Sequence, residues 1–316
     1  MLETTHGGPD ALGVPPHDFS TNANACGPCP TALAALRQAE WPFYPDPAYT
    51  ALRARLGAWH GVDVQRVVVA ASGSEFIQRI TAHAARSGLR HVALPRHGYG
   101  DYARAARAWG LEPPCADEPA LHWACEPSSP LGAADASLRQ GARGIRVVDC
   151  AYAPLRLEGE PAPLPADAWQ LWSPNKALGL TGVRAAYAIA PAQATPATLA
   201  DLHALAPSWP LGADGVALLD SWTRPATQAW LAESRATLRA WKAAQIALCE
   251  ELGWAVLPGS LANFFTARLR VEVPLAALRA RGIKLRDCAS FGLPGHVRLG
   301  VLPPASQQAL RSALGA

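Results

Sequence analysis

Arg66-Val67-Val68-Val69-Ala70-Ala71 runs without a break into Ser72-Gly73-Ser74-Glu75, and apolar residues at helical spacing continue to about Ser87. Three consecutive valines suit a strand covered on both faces, because neither side of the pleat is left for water. The glycine turn then hands the chain to a helix. The same alternation returns downstream. His91 to Leu94 reads as a strand and Tyr99 to Trp109 as a helix. Leu121 to Cys125, Ile145 to Val148, Ala168 to Trp172 and Ala185 to Ile189 read as further buried strands. Strands alternating with helices predict an α/β fold with a mostly parallel sheet covered on both faces. Thr31 to Ala39 and Tyr49 to Trp59 also carry helical spacing.

The texture changes after about Pro210. Ala213 to Leu252 is dominated by Ala, Leu, Arg and Trp and predicts two helices, one of them long, interrupted at Pro225. Short strands near Trp254 to Leu257, Phe264 to Leu269 and Val297 to Val301, with helices at Leu275 to Arg281 and Ser306 to Leu314, complete a smaller α+β lobe. The expected organisation is an extended N-terminal arm over 1–30, a large domain over 31–210 and a small C-terminal domain over 211–316.

Composition narrows the function. The chain has 316 residues, half of them hydrophobic and 17% charged, enough for two packed lobes and too apolar for disorder. A net charge of +3 with no run of basic residues predicts no nucleic-acid partner. Apolar stretches are interrupted well before 18 residues, so no membrane span is expected. The first residues lack a signal-peptide pattern, and a cytoplasmic location is the default. Seven cysteines, an odd number, read as free thiols. Cys26 and Cys29 form a C-x-x-C whose second cysteine is flanked by Pro28 and Pro30, with no second pair at zinc spacing, so no metal site is expected.

Three short segments carry chemistry. Ser173-Pro174-Asn175-Lys176-Ala177-Leu178-Gly179-Leu180-Thr181-Gly182-Val183-Arg184 places one of only three lysines in an apolar, glycine-rich turn. A lysine withdrawn from water gives up its proton readily and can form a Schiff base. An arginine eight residues on, after two glycines, can reach a phosphate; a surface loop with a stray lysine is the alternative. Val147-Val148-Asp149-Cys150-Ala151-Tyr152 puts an acid at the end of a buried strand, where parallel sheets bind ligands; a turn or helix cap would look the same. Gly73, Ser74 and Glu75 lie between strand and helix, where backbone amides cradle anions, although such turns are common in α/β proteins.

Glycine turn, strand-end acid, then lysine with a trailing arginine is the order of parts in a pyridoxal-phosphate site. Here the sequence resembles the fold type I PLP-dependent enzymes of the class I/II aminotransferase family, specifically the histidinol-phosphate aminotransferase and threonine-phosphate decarboxylase group. The similarity runs nearly end to end. Asp18-Phe19-Ser20-Thr21-Asn22-Ala23-Asn24-Ala25-Cys26-Gly27-Pro28 resembles the group's arm motif, and Tyr44-Pro45-Asp46-Pro47 its Tyr-Pro-Asp segment. Tyr99-Gly100-Asp101-Tyr102 is similar to the element that supplies the ring-stacking aromatic. Leu261 to Phe265 and Gly292 to Arg298 resemble its C-terminal signatures.

The resemblance implies a homodimeric enzyme with pyridoxal 5'-phosphate bound to Lys176, which also shuttles a proton. It implies that Asp149 holds the pyridine nitrogen, Tyr152 bonds the phenolic oxygen and Tyr99 stacks on the ring. Gly73, Ser74, Glu75, Ser173 and Arg184 would form the phosphate cup, with Tyr44 reaching the neighbouring subunit's cofactor. Arg298 would bind the substrate carboxylate, assisted by Arg286, with Asn24 and Gly27 lining the substrate site. Departures are visible. Glu126-Pro127-Ser128-Ser129-Pro130-Leu131-Gly132 replaces an Asn-Pro-x-Asn-Pro-Thr-Gly segment, so Ser129 stands where an Asn touches the ring oxygen, and Asn175 replaces a hydroxyl residue before Lys176. The expected activity is transamination of an amino acid or amino-phosphate. Decarboxylation of L-threonine O-3-phosphate for cobalamin biosynthesis is the alternative, favoured by His6-Gly7-Gly8 and the arm. A PLP-binding protein without turnover is a third reading, against which Lys176, Asp149 and Arg184 argue.

Overall fold

The computed structural model describes residues 6–115, 118–139, 141, 143–270 and 273–315. In chain order the elements of the first part are β1 (His17–Asp18), α1 (Pro30–Arg37), α2 (Thr50–His60), β2 (Val67–Ala70), α3 (Gly73–Arg86), β3 (His91–Ala93), α4 (Gly100–Ala108), β4 (Ala120–Cys125), β5 (Gly144–Asp149), β6 (Ala168–Trp172), β7 (Ala186–Ile189) and α5 (Pro196–Ala204). The second part holds α6 (Ala213–Trp222), α7 (Pro225–Glu251), β8 (Ala255–Val256), β9 (Phe264–Arg268), α8 (Leu275–Ala280), β10 (Ile283–Lys284), β11 (Arg286–Asp287), β12 (His296–Gly300) and α9 (Pro304–Leu314).

The central sheet has the order β2-β7-β6-β5-β4-β3. Strands β3 to β6 pair in parallel, and β7 alone runs against its neighbours β6 and β2. The alternation pattern predicts the layers but not this reversal, because a strand buried on both faces reads the same in either direction. Side chains leave the sheet alternately. Val67 and Val69 enter a core with Leu52, Leu56, Tyr187 and Ile189, while Val68 and Ala70 enter another with Phe76, Ile80, Leu121 and Trp169. The triple valine is therefore explained by two apolar layers. Because β2 to β6 all point one way, their carboxyl ends gather at one edge, which becomes the site.

The smaller sheet, β11-β12-β9-β8, is antiparallel and packs Phe265, Ala267, Val297 and Leu299 against Leu248, Cys249 and Leu310. Helix α7 links the cores: Leu231 and Leu238 lie in the first, Leu248 and Cys249 in this one. The arm carries a short strand that composition does not predict. β1 pairs in parallel with β10, and Phe19 is fully buried in the small-sheet core. Two-residue strands are too short to show an alternating pattern.

Among the described residues His60 is a point of acid sensitivity in the large core. Its Nε2 lies 2.9 Å from the Tyr187 hydroxyl, which also accepts the Trp222 indole N–H at 3.2 Å. Burial holds the His60 imidazole down to about 4 from its ordinary 6.5. The unfolded chain therefore binds more protons at this residue than the folded one between those values, and stability falls as pH drops through that window. Urea unfolding at pH 7 and pH 5 should show a smaller acid loss for His60→Gln than for the parent protein; equal losses would refute the assignment.

Candidate active site

Asp149 is the last residue of β5, opposite Cys125 of β4 and Leu171 of β6. Its carboxylate is buried, with Oδ1 accepting the Ala151 N–H at 2.9 Å and Oδ2 accepting the Tyr102 hydroxyl at 2.7 Å. Burial pushes this carboxyl above the usual range, opposed by the Tyr102 hydrogen bond, the Lys176 charge and the Ala151 amide. Lys176 follows β6 by one turn. Its Nζ sits 5.4 Å from the centre of the Tyr152 ring. Among the described residues it has no hydrogen-bond or ion-pair partner. The structure thus brings Asp149, Tyr152 and Lys176 together at the strand ends.

The Lys176 turn is held by the arm. Asn24 N–H donates to Lys176 O at 2.9 Å, Asn24 Nδ2 to Ala177 O at 3.1 Å, and Cys29 N–H to Leu178 O at 2.8 Å. Asn24 Oδ1 accepts the Cys26 N–H at 3.0 Å, so both ends of this side chain serve the arm and the lysine turn. Gly27 meets the same turn through its carbonyl. Gly179 has φ +66°, and a methyl group there would lie 2.6 Å from Gly27 O. Only glycine fits both demands.

Helix α3 begins at Gly73, capped by Ser72 Oγ, which accepts the Glu75 N–H at 3.1 Å. A methyl at Gly73 would stand 3.8 Å from Ser173 Oγ, so the glycine turn and the start of the lysine segment are neighbours. Ser74 Oγ lies 3.3 Å from the Tyr99 hydroxyl. Glu75 does not face this turn: its carboxylate bonds Arg79 Nε at 2.8 Å and the Ala71 N–H at 3.1 Å, as expected of an acid beside an (i, i+4) arginine. Arg184 is exposed and has no partner among the described residues. Tyr44 lies away from the lysine turn, 79% exposed and stacked on Trp209 at 4.6 Å between ring centres.

Arg286 and Arg298 stand opposite one another in the β11–β12 ladder and are both buried. Arg298 donates Nη1 to Ser129 Oγ at 3.0 Å and Nη2 to Ser20 O at 2.9 Å, while its buried Nε has no partner. Arg286 donates to Asp287 O and Ser290 Oγ, each at 2.9 Å. Both guanidinium groups approach the Phe291 ring, at 4.9 and 5.7 Å. No carboxylate pairs with either among the described residues, and two buried cations of this kind require an anion.

Sequence reasoning missed three features here. Tyr102 is fully buried beneath Asp149 and follows Tyr99 at helical spacing, the only signal available. Glu126 and Arg156 form a buried ion pair. Ser129, read as a shortened ring contact, instead holds Arg298.

The family model for Aminotransferase class I and II matches residues 147–316, which include Asp149, Lys176 and both arginines. The chain belongs to this family. Its curated relatives include a histidinol-phosphate aminotransferase from Symbiobacterium thermophilum, 28% identical over 95% of this chain and 91% of that protein. Among solved structures, histidinol-phosphate aminotransferase from Sinorhizobium meliloti in complex with pyridoxal-5'-phosphate superposes with a TM-score of 0.71, at 21% identity, covering 93% of this chain and 88% of that one. L-threonine-O-3-phosphate decarboxylase from Porphyromonas gingivalis superposes with a TM-score of 0.73, at 20% identity, covering 94% and 98%. The cofactor of the class I and II aminotransferases is pyridoxal 5'-phosphate. The residues present fit it: an unpartnered amine lies in charge range of a buried acid, and a glycine-opened helix start adjoins two serines.

This aminotransferase should not tolerate Gly179→Ala. The left-handed backbone and the Gly27 contact together should lower unfolding free energy by about 2–4 kcal/mol. Gly182→Ala, which meets open space, should change it by about 0.5 kcal/mol or less. Paired urea titrations decide the matter.

Proposed function

We propose that this aminotransferase acts on an amino acid that carries a second anionic group, a phosphate ester by preference. The observation that carries the reading is the pair of buried, carboxylate-free arginines, Arg286 and Arg298, facing the same way from adjacent strands. Arg298 offers a fork for the α-carboxylate, and Ser129 and the Ser20 carbonyl hold that fork in place. Arg286 is then the cation for the second anion.

Site roles follow on the same reading. When bound, pyridoxal phosphate withdraws electrons from the bonds at the substrate's Cα. Lys176 tethers the cofactor's aldehyde and afterwards carries the proton between carbon atoms. Asp149 supplies negative charge at the ring nitrogen, Tyr152 a hydroxyl at the ring oxygen, and Tyr99 a stacking face. The amides at Gly73 and Ser74, the Ser74 and Ser173 hydroxyls and Arg184 hold the phosphate. Glu75 serves them indirectly by holding the Ala71 N–H at the entry to the glycine turn. Arg184, without a partner among the described residues, and the half-buried Lys176 support these assignments, since one suits an anion and the other an aldehyde.

The enzyme is proposed to be a homodimer in which Tyr44 contacts the partner's cofactor phosphate. Trp41, Phe43 and Tyr44 expose 64%, 70% and 79% of their surface within four residues, an apolar patch suited to a second copy. Seven free cysteines support a reducing, cytoplasmic setting. Among the described residues no helix is long and apolar enough to cross a membrane.

One observation favours decarboxylation as a second reading. The arm folds back so that Gly8 N–H donates to Ser20 Oγ at 2.9 Å, and the His6 ring comes within 6.2 Å of Tyr99. This is the segment whose sequence resembles the threonine-phosphate decarboxylases. The two readings separate in a single spectrum. An amino donor alone should convert the yellow form of the bound cofactor to its colourless amine form, and a 2-oxo acid should restore the colour. Release of carbon dioxide from threonine phosphate without that bleaching would favour decarboxylation. Lys176→Ala should abolish the borohydride-trapped adduct.

Arg298→Ala should lower kcat/KM by about thirtyfold or more for every amino donor, equivalent to about 2–5 kcal/mol for one lost partner of a buried charge pair. Arg286→Ala should cost as much for phosphorylated donors and far less for neutral ones. An equal loss for both donor classes would refute the second-anion assignment.

A further inference from the structure

Tyr102 is absent from the roles above, yet it makes the shortest contact to Asp149. Its hydroxyl donates to Oδ2 at 2.7 Å from a side chain only 1% exposed. The ring has little freedom to leave. It stacks on Trp123 at 4.4 Å between centres with an 11° tilt, and Tyr99 meets it edge-on at 5.8 Å. Trp123 is anchored in β4, beside β5, so the stack is fixed to the strand that ends in Asp149's neighbour. The backbone does the rest: the Ala151 N–H occupies Oδ1. Each carboxylate oxygen has two lone pairs, so both donors leave capacity for a third partner.

We propose that Tyr102 is a positioning residue that sets how strongly Asp149 holds a proton, and thereby where the proton between Asp149 and the cofactor's ring nitrogen resides. This rests on pyridoxal phosphate occupying the site as described. A hydroxyl donating to a carboxylate stabilises its charged form and lowers its proton affinity. The shared proton then stays on the ring nitrogen, the state in which the ring accepts electrons. Without the donor, burial favours the neutral acid, and the proton moves from nitrogen to carboxylate. The other titratable groups facing Asp149 cannot substitute. Lys176 lies over the Tyr152 ring and gives Asp149 no hydrogen bond, the Tyr99 hydroxyl turns to Ser74, and burial pushes the Cys125 and Cys150 thiols far above their ordinary value.

The test uses holoenzyme reconstituted with pyridoxal phosphate carrying ¹⁵N in the ring. The ring-nitrogen resonance is followed against pH for the parent, for Tyr102→Phe and for protein with 3-fluorotyrosine installed at position 102 alone. Tyr102→Phe should lower the pH at which the nitrogen loses its proton by at least about one unit, the equivalent of a tenfold change in proton affinity for a charge-assisted bond. The fluorinated ring, a stronger donor of unchanged shape, should raise it, and it answers the question even if Tyr102→Phe folds poorly. Cofactor bound at Lys176 with the nitrogen midpoint unmoved in both proteins would overturn the proposal and leave Tyr102 a packing residue. Failure of the parent protein to bind the cofactor at Lys176 at all would instead overturn the reading of the site.

Discussion

A carboxylate buried at the end of a sheet, within charge range of a lysine that has no other partner among the described residues, is the constraint on which this protein turns. Burying Asp149 opposes its ionisation, and the molecule offsets that with a hydroxyl from α4, an amide from its own turn and the Lys176 charge from the next strand's loop. Each donor comes from a different element. The sheet must therefore be assembled, with β3 to β6 running the same way, before the acid can be charged in place.

The arm solves a second problem. A lysine on a glycine-rich turn is a mobile nucleophile unless something fixes the turn. Asn24, Gly27 and Cys29 do this through backbone-directed hydrogen bonds and one close carbonyl approach. The arm is itself tied to the small lobe by Phe19, by the β1–β10 pair and by the Gly300 N–H, which donates to Phe19 O at 2.7 Å. Ser20 O also accepts from Arg298. A single segment thus couples the Lys176 turn to Arg298, and motion of the small lobe would be felt at both.

The two arginines show how a polar site is kept open inside an apolar lobe. Their guanidinium faces lie against Phe291, and their edges are taken up by carbonyls and hydroxyls rather than by acids. Neutral acceptors hold the geometry without neutralising the charge, so attraction for an anion is preserved.

The layers were legible in sequence, as were Lys176 and Asp149 as candidates, because both readings depend on local pattern: the unbroken valines of β2, the apolar run into Asp149, and a rare lysine in a glycine-rich turn. The reversed strand β7 was not, since a doubly buried strand carries no mark of its direction. Nor was the use of Asn24 as a clamp on the lysine turn, or the grip of Ser129 on Arg298. Tyr102 lay in plain view three residues after Tyr99, but nothing in its neighbours says which of several strand ends its hydroxyl will meet. Those assignments join residues 47 to 169 positions apart. Only the folded backbone brings such partners to hydrogen-bonding distance, and a bond of that kind is written in the packing of the sheet rather than in the spacing along the chain.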